Sequence, residues 1–145
     1  MWREMELREI QMKESGESSQ IVVLGEKGGK REFPIYIGQF EVQTMYLAIH
    51  GHQPQRPMTH DLIFNIIEGF DARLVGICVD DLRDGTFHGK LMLEKKDGQQ
   101  LLIDTRPSDA IVLAVKQQTP IYVDDRVLEA VDKPPQSPPE EESGF

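Results

Sequence analysis

"DTRPSDAIVLAV", residues 104–115, is the stretch on which the reading of this chain turns. An Arg-Pro pair leads into Ser108 and Asp109, and Ala110 to Val115 is then apolar without a break. A helix that is apolar nearly all round must be covered nearly all round. The pattern predicts a buried helix over 108–118, entered from a strand, "QLLIDTR". The same device stands earlier as "QRPMTHDLIFNII", residues 55–67. There the helix begins at Thr59 or His60, and Leu62, Ile63, Ile66, Ile67 and Phe70 form an apolar stripe at helical spacing.

Working outward, "QFEVQTMYLAIHG" places Val42, Met45, Tyr46 and Ile49 at i, i+3, i+4, i+7, a third amphipathic helix with Gly51 as a plausible C-cap. Residues 5–13, 20–27 and 31–37 read as strands, the last two joined by the hairpin turn "KGGK". "RLVGICVDDL", residues 73–82, is a short continuous apolar run and suits a central strand. "TFHGKLMLEK" alternates, with Phe87, Gly89, Leu91 and Leu93 on one side, and "KDGQ" turns it back into "QLLIDTR". "PIYVDD" is a last strand and "RVLEAV" a short closing helix. The class is α+β: a mostly antiparallel mixed sheet with three main helices. "PIYIG" at 34–38 returns as "PIYVD" at 120–124, and "RPMTHDLI" as "RPSDAI", an echo that an internal duplication would leave.

The 145 residues suit one domain, expected over 1–133, followed by an acidic Pro/Glu tail over 134–145 that should be disordered. No stretch has membrane-spanning length, and the N-terminus "MWREMELREI" carries no apolar signal region. The single cysteine, Cys78, lies in an apolar run. These features point to the cytoplasm and to no membrane partner. The net charge is −9, from 25 acidic and 16 basic residues. That sign opposes tight, non-specific nucleic-acid binding by the whole surface, but it leaves room for a small basic pocket.

The chemistry gathers at the two helix mouths. Capping alone accounts for Thr59 and Ser108 as N-cap hydroxyls, and for Asp61 and Asp109 as first-turn carboxylates at the positive end of a helix dipole. It does not account for Arg56 and Arg106, since a cation is unwelcome there. Nor does it ask for His60, which beside first-turn amides is pushed toward its neutral form and suits a general base or a metal ligand. Arginines, a hydroxyl and free amides at a helix mouth make an anion site that fits phosphate. The structural alternative pairs each arginine with a neighbouring aspartate, such as Asp104 or Asp109, and fastens the loop; from spacing alone it has a slight edge. Asp80, Asp81 and Asp84 form a second acidic cluster. Asp84-Gly85 is simplest as a turn, Asp81 could face the same site as His60, and a divalent ion could be held here or by Asp61 and Asp109. His50 and His52 flank a helix end and Cys78 reads as a small apolar residue; no HExxH, CxxC, GxSxG or Walker motif occurs.

"PIYIGQFEVQTM", "RPMTHDLI", "DLRDGTFHGKLML", "DTRPSDAIVLAV" and "PIYVDD" together resemble the bifunctional nuclease domain family, in the family's order, over residues 5–131. The resemblance implies a compact α+β domain, oligomeric as a dimer or larger, that cleaves both DNA and RNA. The polar positions matching its motifs are Glu41, Arg56, His60, Asp61, Asp84, Arg106, Ser108 and Asp109. His88 stands where the family often has Tyr, and Val42 where Ala is common.

Two readings follow. In the first, the chain is a phosphodiesterase on nucleic acid with little sequence preference. Asp61 and Asp109, with Asp84, hold Mg²⁺ or Mn²⁺, His60 is the general base, Arg56 and Arg106 grip the phosphate, and Ser108 donates a hydrogen bond. In the second it is a non-catalytic oligomeric module whose Arg–Asp pairs are structural and which binds an anionic ligand or a protein.

Overall fold

The structure, a computed structural model, describes residues 1–12 and 19–132. Strands β1 (Trp2–Gln11), β2 (Ser19–Glu26) and β3 (Glu32–Gly38) run antiparallel to one another, and the last leads directly into α1 (Gln39–Ile49). A loop carries the chain to α2 (Thr59–Gly69). Strands β4 (Ala72–Arg83), β5 (Thr86–Lys95) and β6 (Gln100–Thr105) form an antiparallel meander. Then come α3 (Pro107–Gln117), β7 (Ile121–Asp124) and α4 (Asp125–Asp132). The expected end of the first strand at Lys13 and the tail from Pro134 lie outside the described residues.

The seven described strands make one mixed sheet in the order β3-β2-β1-β7-β4-β5-β6, with β4 and β7 parallel and the other neighbours antiparallel. Short β7 thus closes the sheet between its two meanders, pairing with β1 on one side and β4 on the other. The sheet is strongly curled. Phe33 on β3, an edge strand, stacks on Phe87 of β5, far along the strand order, with ring centroids 5.4 Å apart. Strand twist accumulates in this direction, and the roll it produces can wrap a helix.

That helix is α3. Ala110, Ile111, Val112, Leu113 and Ala114 are all 0–1% exposed, because sheet, α1 and α2 cover every side of the run. Its first turn presses on β5 at Gly89, where a Cβ would meet the Cys78 carbonyl oxygen at 3.1 Å and Pro107 Cα at 3.5 Å. Gly89 lets helix and sheet approach closely at this point.

Three expectations need correction. Thr59 and Ser108 do not cap their helices. The caps are Met58 and Arg106, so both residues lie inside the first turn, and Pro107 takes the first helical position, where its missing N–H costs nothing. In α1, Val42 and Met45 are buried, but Tyr46 and Ile49 are about half exposed. In α2, Ile67 is buried, while Leu62, Ile66 and Phe70 are at least half exposed. Periodicity shows that a helix has an apolar face; it does not show that the chain itself covers that face. The duplication echo holds locally, since each "PIY" strand feeds straight into a helix, yet β3 is an edge strand and β7 a central one. No described helix is long and apolar enough to cross a membrane.

Candidate active site

The first turns of α1 and α3 meet at one guanidinium, and the first turn of α2 joins them through Asp109. Glu41 in α1, Asp61 in α2 and Asp109 in α3 each occupy the third helical position, where a carboxylate is favoured by free amides and by the dipole. Arg106, the residue before α3, donates from Nε to Asp109 Oδ2 at 2.9 Å and from Nη2 to Glu41 Oε1 at 3.0 Å, and Nη2 also lies 2.8 Å from Asp109 Oδ2 as an ion pair. Two first-turn carboxylates therefore offset the cation that a helix N-terminus would otherwise repel. They also raise the Arg106 pKa further, chiefly through the Asp109 hydrogen bond. The arginine side chain is 68% exposed, whereas Glu41 and Asp109 are 14% and 25% exposed. Its carboxylate contacts use only one edge of the fork, and Nη1 has no protein partner among the described residues.

The other Asp109 oxygen takes His60. Asp109 Oδ1 lies 3.1 Å from His60 Nε2, and the histidine side chain is 11% exposed. A carboxylate can only accept, so Nε2 carries a proton toward Asp109, and in the neutral form of the ring Nδ1 is then the nitrogen that keeps its lone pair. The result is a relay Glu41–Arg106–Asp109–His60 that joins the two Arg-Pro corners.

The next residue of α2 makes a second bridge. Asp61 Oδ1 is 2.9 Å from Lys116 Nζ in the last turn of α3, and Asp61 Oδ2 accepts the Met58 backbone N–H at 3.0 Å. Burial works to raise the Asp61 pKa, but the Lys116 and Met58 hydrogen bonds outweigh it and hold the carboxyl below its ordinary range. Asp109 and Lys116 are seven residues apart, roughly 10 Å along a helix. The first turn of α2 therefore lies across α3 and is pinned to it twice. Sequence reading missed Lys116, although a lone cation closing an apolar run was a signal that something anionic waits there.

The remaining expected residues disperse. Arg56 is exposed, has no carboxylate partner among the described residues, and lines a cleft of about 790 Å³ with Asp61 and Lys116. Ser108 is 8% exposed inside the first turn of α3. Asp84, at φ +51°, and Gly85, at φ +76°, make the β4–β5 turn, as the plainer reading held. Asp81 pairs with Arg83 at 2.8 Å, not with His60, and Asp80 pairs with Lys90 at 3.2 Å. Asp104 also goes to Lys90, at 3.4 Å, not to an arginine. Asp61, Asp84 and Asp109 do not assemble as a ligand set, and among the described residues no three His, Cys, Asp or Glu side chains gather as a metal group.

A curled sheet wrapped on a helix, with a histidine–carboxylate pair and a half-free arginine at the crossing of three helix starts, is a scaffold suited to anion chemistry. The chain belongs to the bifunctional nuclease domain family, whose family model matches residues 22–136. It is 35% identical over 115 residues to an uncharacterized protein of Mycobacterium tuberculosis, covering 79% of this chain and 68% of the relative. It is 25% identical over 124 residues to Bifunctional nuclease 1 of Oryza sativa subsp. japonica and to Bifunctional nuclease of Oryza minuta, covering 83% of this chain and 37% of each rice protein.

Proposed function

We propose that the chain is a nuclease that hydrolyses phosphodiester bonds in DNA and RNA, with His60 and Arg106 at the reacting phosphate. The observation that carries this reading is the 3.1 Å His60–Asp109 contact, because it fixes the tautomer and leaves Nδ1 as a base. Asp109 orients the ring and stabilises the imidazolium that forms when a water proton moves to Nδ1. Arg106 offers its free Nη1 edge to the phosphoryl oxygens, where a guanidinium stabilises developing charge. Glu41 holds that arginine in place. A donor is brought to the phosphate without opening the acidic body to nucleic acid as a whole. The family and the two rice nucleases support the substrate class.

The expected divalent ion does not follow from the carboxylates, which do not gather as a metal group among the described residues. The test uses purified protein on single-stranded DNA and RNA, with and without chelator, beside His60→Ala and Asp109→Asn. Cleavage proportional to wild-type protein and lost in both variants is the expected result; equal cleavage by all three proteins overturns the reading. Loss of wild-type cleavage in chelator would place a metal on a donor set other than the three aspartates.

One observation favours the second reading, a non-catalytic binding module. Arg106 is already satisfied by two carboxylates, as a structural fastener would be. In that case wild type gives no turnover, and Asp109→Asn lowers stability alone.

A homo-oligomer is part of the proposal. Ile66, Phe70 and Ile103 border an apolar groove of about 620 Å³ between α2 and the β5–β6 strands, and no acidic residue lines it. Two copies of a chain of charge −9 meet most easily where neither carries a carboxylate. Light scattering should give a dimer or larger, and Phe70→Asp should reduce it to a monomer; a monomeric wild type refutes this part.

A further inference from the structure

The cleft of about 790 Å³ at the α2 corner has no place in the chemistry just described, and its wall is unusual for an acidic protein. It runs between the loop after α1, one face of α2, the start of β4 and the end of α3. Three Lys or Arg residues line it. Lys116 is taken by Asp61 at 2.9 Å, and Arg73 by Glu94 at 3.1 Å. Arg56 has no carboxylate partner among the described residues, so it is the cation there with its charge to offer. Gln55, Asn65 and Gln117 line the same cleft, with the half-buried Phe64 and the exposed Glu68. The volume is that of a small-molecule site.

We infer that this cleft seats one nucleotide unit of the substrate strand, its phosphate on Arg56 and its base over Phe64 among the carboxamides. This rests on the nuclease reading above and extends it from the scissile bond to a flanking subsite. The chemistry matches part by part. A guanidinium grips phosphate through paired N–H donors. Carboxamides present a donor and an acceptor side by side, as base edges require, and an aromatic face stacks on any base. The placement matches as well. Asp61 lies in the cleft wall and His60, the preceding residue of the same first turn, meets Asp109, so a strand crossing α2 reaches both. A short stretch of strand held here also explains how an acidic protein retains nucleic acid without a basic surface.

The test is binding of a nucleoside 5′-monophosphate to the full chain, with inorganic phosphate and the bare nucleoside as separate arms. Calorimetry should show saturable binding of the monophosphate, at least tenfold tighter than either part alone. Arg56→Ala should weaken it fivefold or more, Asn65→Ala by a smaller factor, and Arg56→Ala should reduce the salt slope of oligonucleotide binding by about one. In cleavage assays Arg56→Ala should raise KM with kcat within twofold. Absence of saturable monophosphate binding by wild type, or unchanged affinity in both variants, overturns the subsite even if cleavage is robust. Arg56-dependent binding by a wild type that never cleaves leaves the subsite standing and removes the nuclease reading instead.

Discussion

The two Arg-Pro corners begin from almost the same residues and end in opposite surroundings. At α3, Arg106 is clamped by Glu41 and Asp109, Pro107 and Ser108 are buried, and the helix behind them is the core of the molecule. At α2, Arg56 has no carboxylate partner among the described residues, Pro57 and Met58 are exposed, and three of the five residues of the apolar stripe behind them are at least half exposed. At the first corner the arginine is held by the aspartate three residues on, one of the pairings that spacing leaves open. At the second, Asp61 turns to Lys116 instead. One motif therefore serves as an anchor in one place and as an open donor in the other, and the difference is made by what packs beside it.

The sharpest way to break the comparison is to remove the same atom pair at each corner. Asp109→Asn should lower cleavage by about 10²–10⁴-fold, the usual span for a positioned acid–base group, because the amide no longer fixes His60 as the donor at Nε2. Asp61→Asn should cost far less, since its partner is Lys116. Equal losses in kcat for the two variants would show that neither carboxylate has a special role.

Core truncation comes next. Leu113→Ala in α3 removes a side chain that is 1% exposed and should destabilise the protein by about 2–5 kcal/mol. Leu62→Ala in α2, 51% exposed, should cost less than about 1 kcal/mol in the monomer. Urea melts of both settle it, and a large loss at Leu62 would mean that the outer stripe is covered by another copy.

A milder probe addresses the clamp without touching a charge. A Cβ at Gly38 would run into the Glu41 carboxylate, the mobile end of a long side chain, so Gly38→Ala should unfold nothing. It should nevertheless displace Glu41 from Arg106 and reduce cleavage several-fold, with a thermal midpoint close to wild type. Wild-type activity in this variant would free Glu41 of any positioning role.

The smallest effect is in acid. A carboxyl lowered on folding stabilises the native state above its unfolded value, and that stabilisation is lost as pH falls through the folded value. Asp61 is such a group. Stability of Asp61→Asn should therefore fall less steeply than wild type below about pH 4, the ordinary Asp range. Parallel acid limbs would mean that the Lys116 bridge contributes nothing.

Much of this was legible in the order of residues. Alternation at Phe87–Leu93, the glycine turns and the apolar run at 110–115 each encode a local periodicity, and a period depends only on neighbours in the chain. The same holds for Asp84-Gly85 as a turn and for Arg106 with Asp109, three residues apart. The family likeness was also readable, because motif order is a property of sequence. Tertiary structure alone decided what meets what across long separations: Arg106 with Glu41, 65 residues away, His60 with Asp109, 49 away, and Phe33 with Phe87 across a rolled sheet. It also decided which apolar faces stay open, as at Tyr46 and Phe70. Periodicity gives a helix its faces, but burial is a property of two surfaces, and the second surface is not written next to the first.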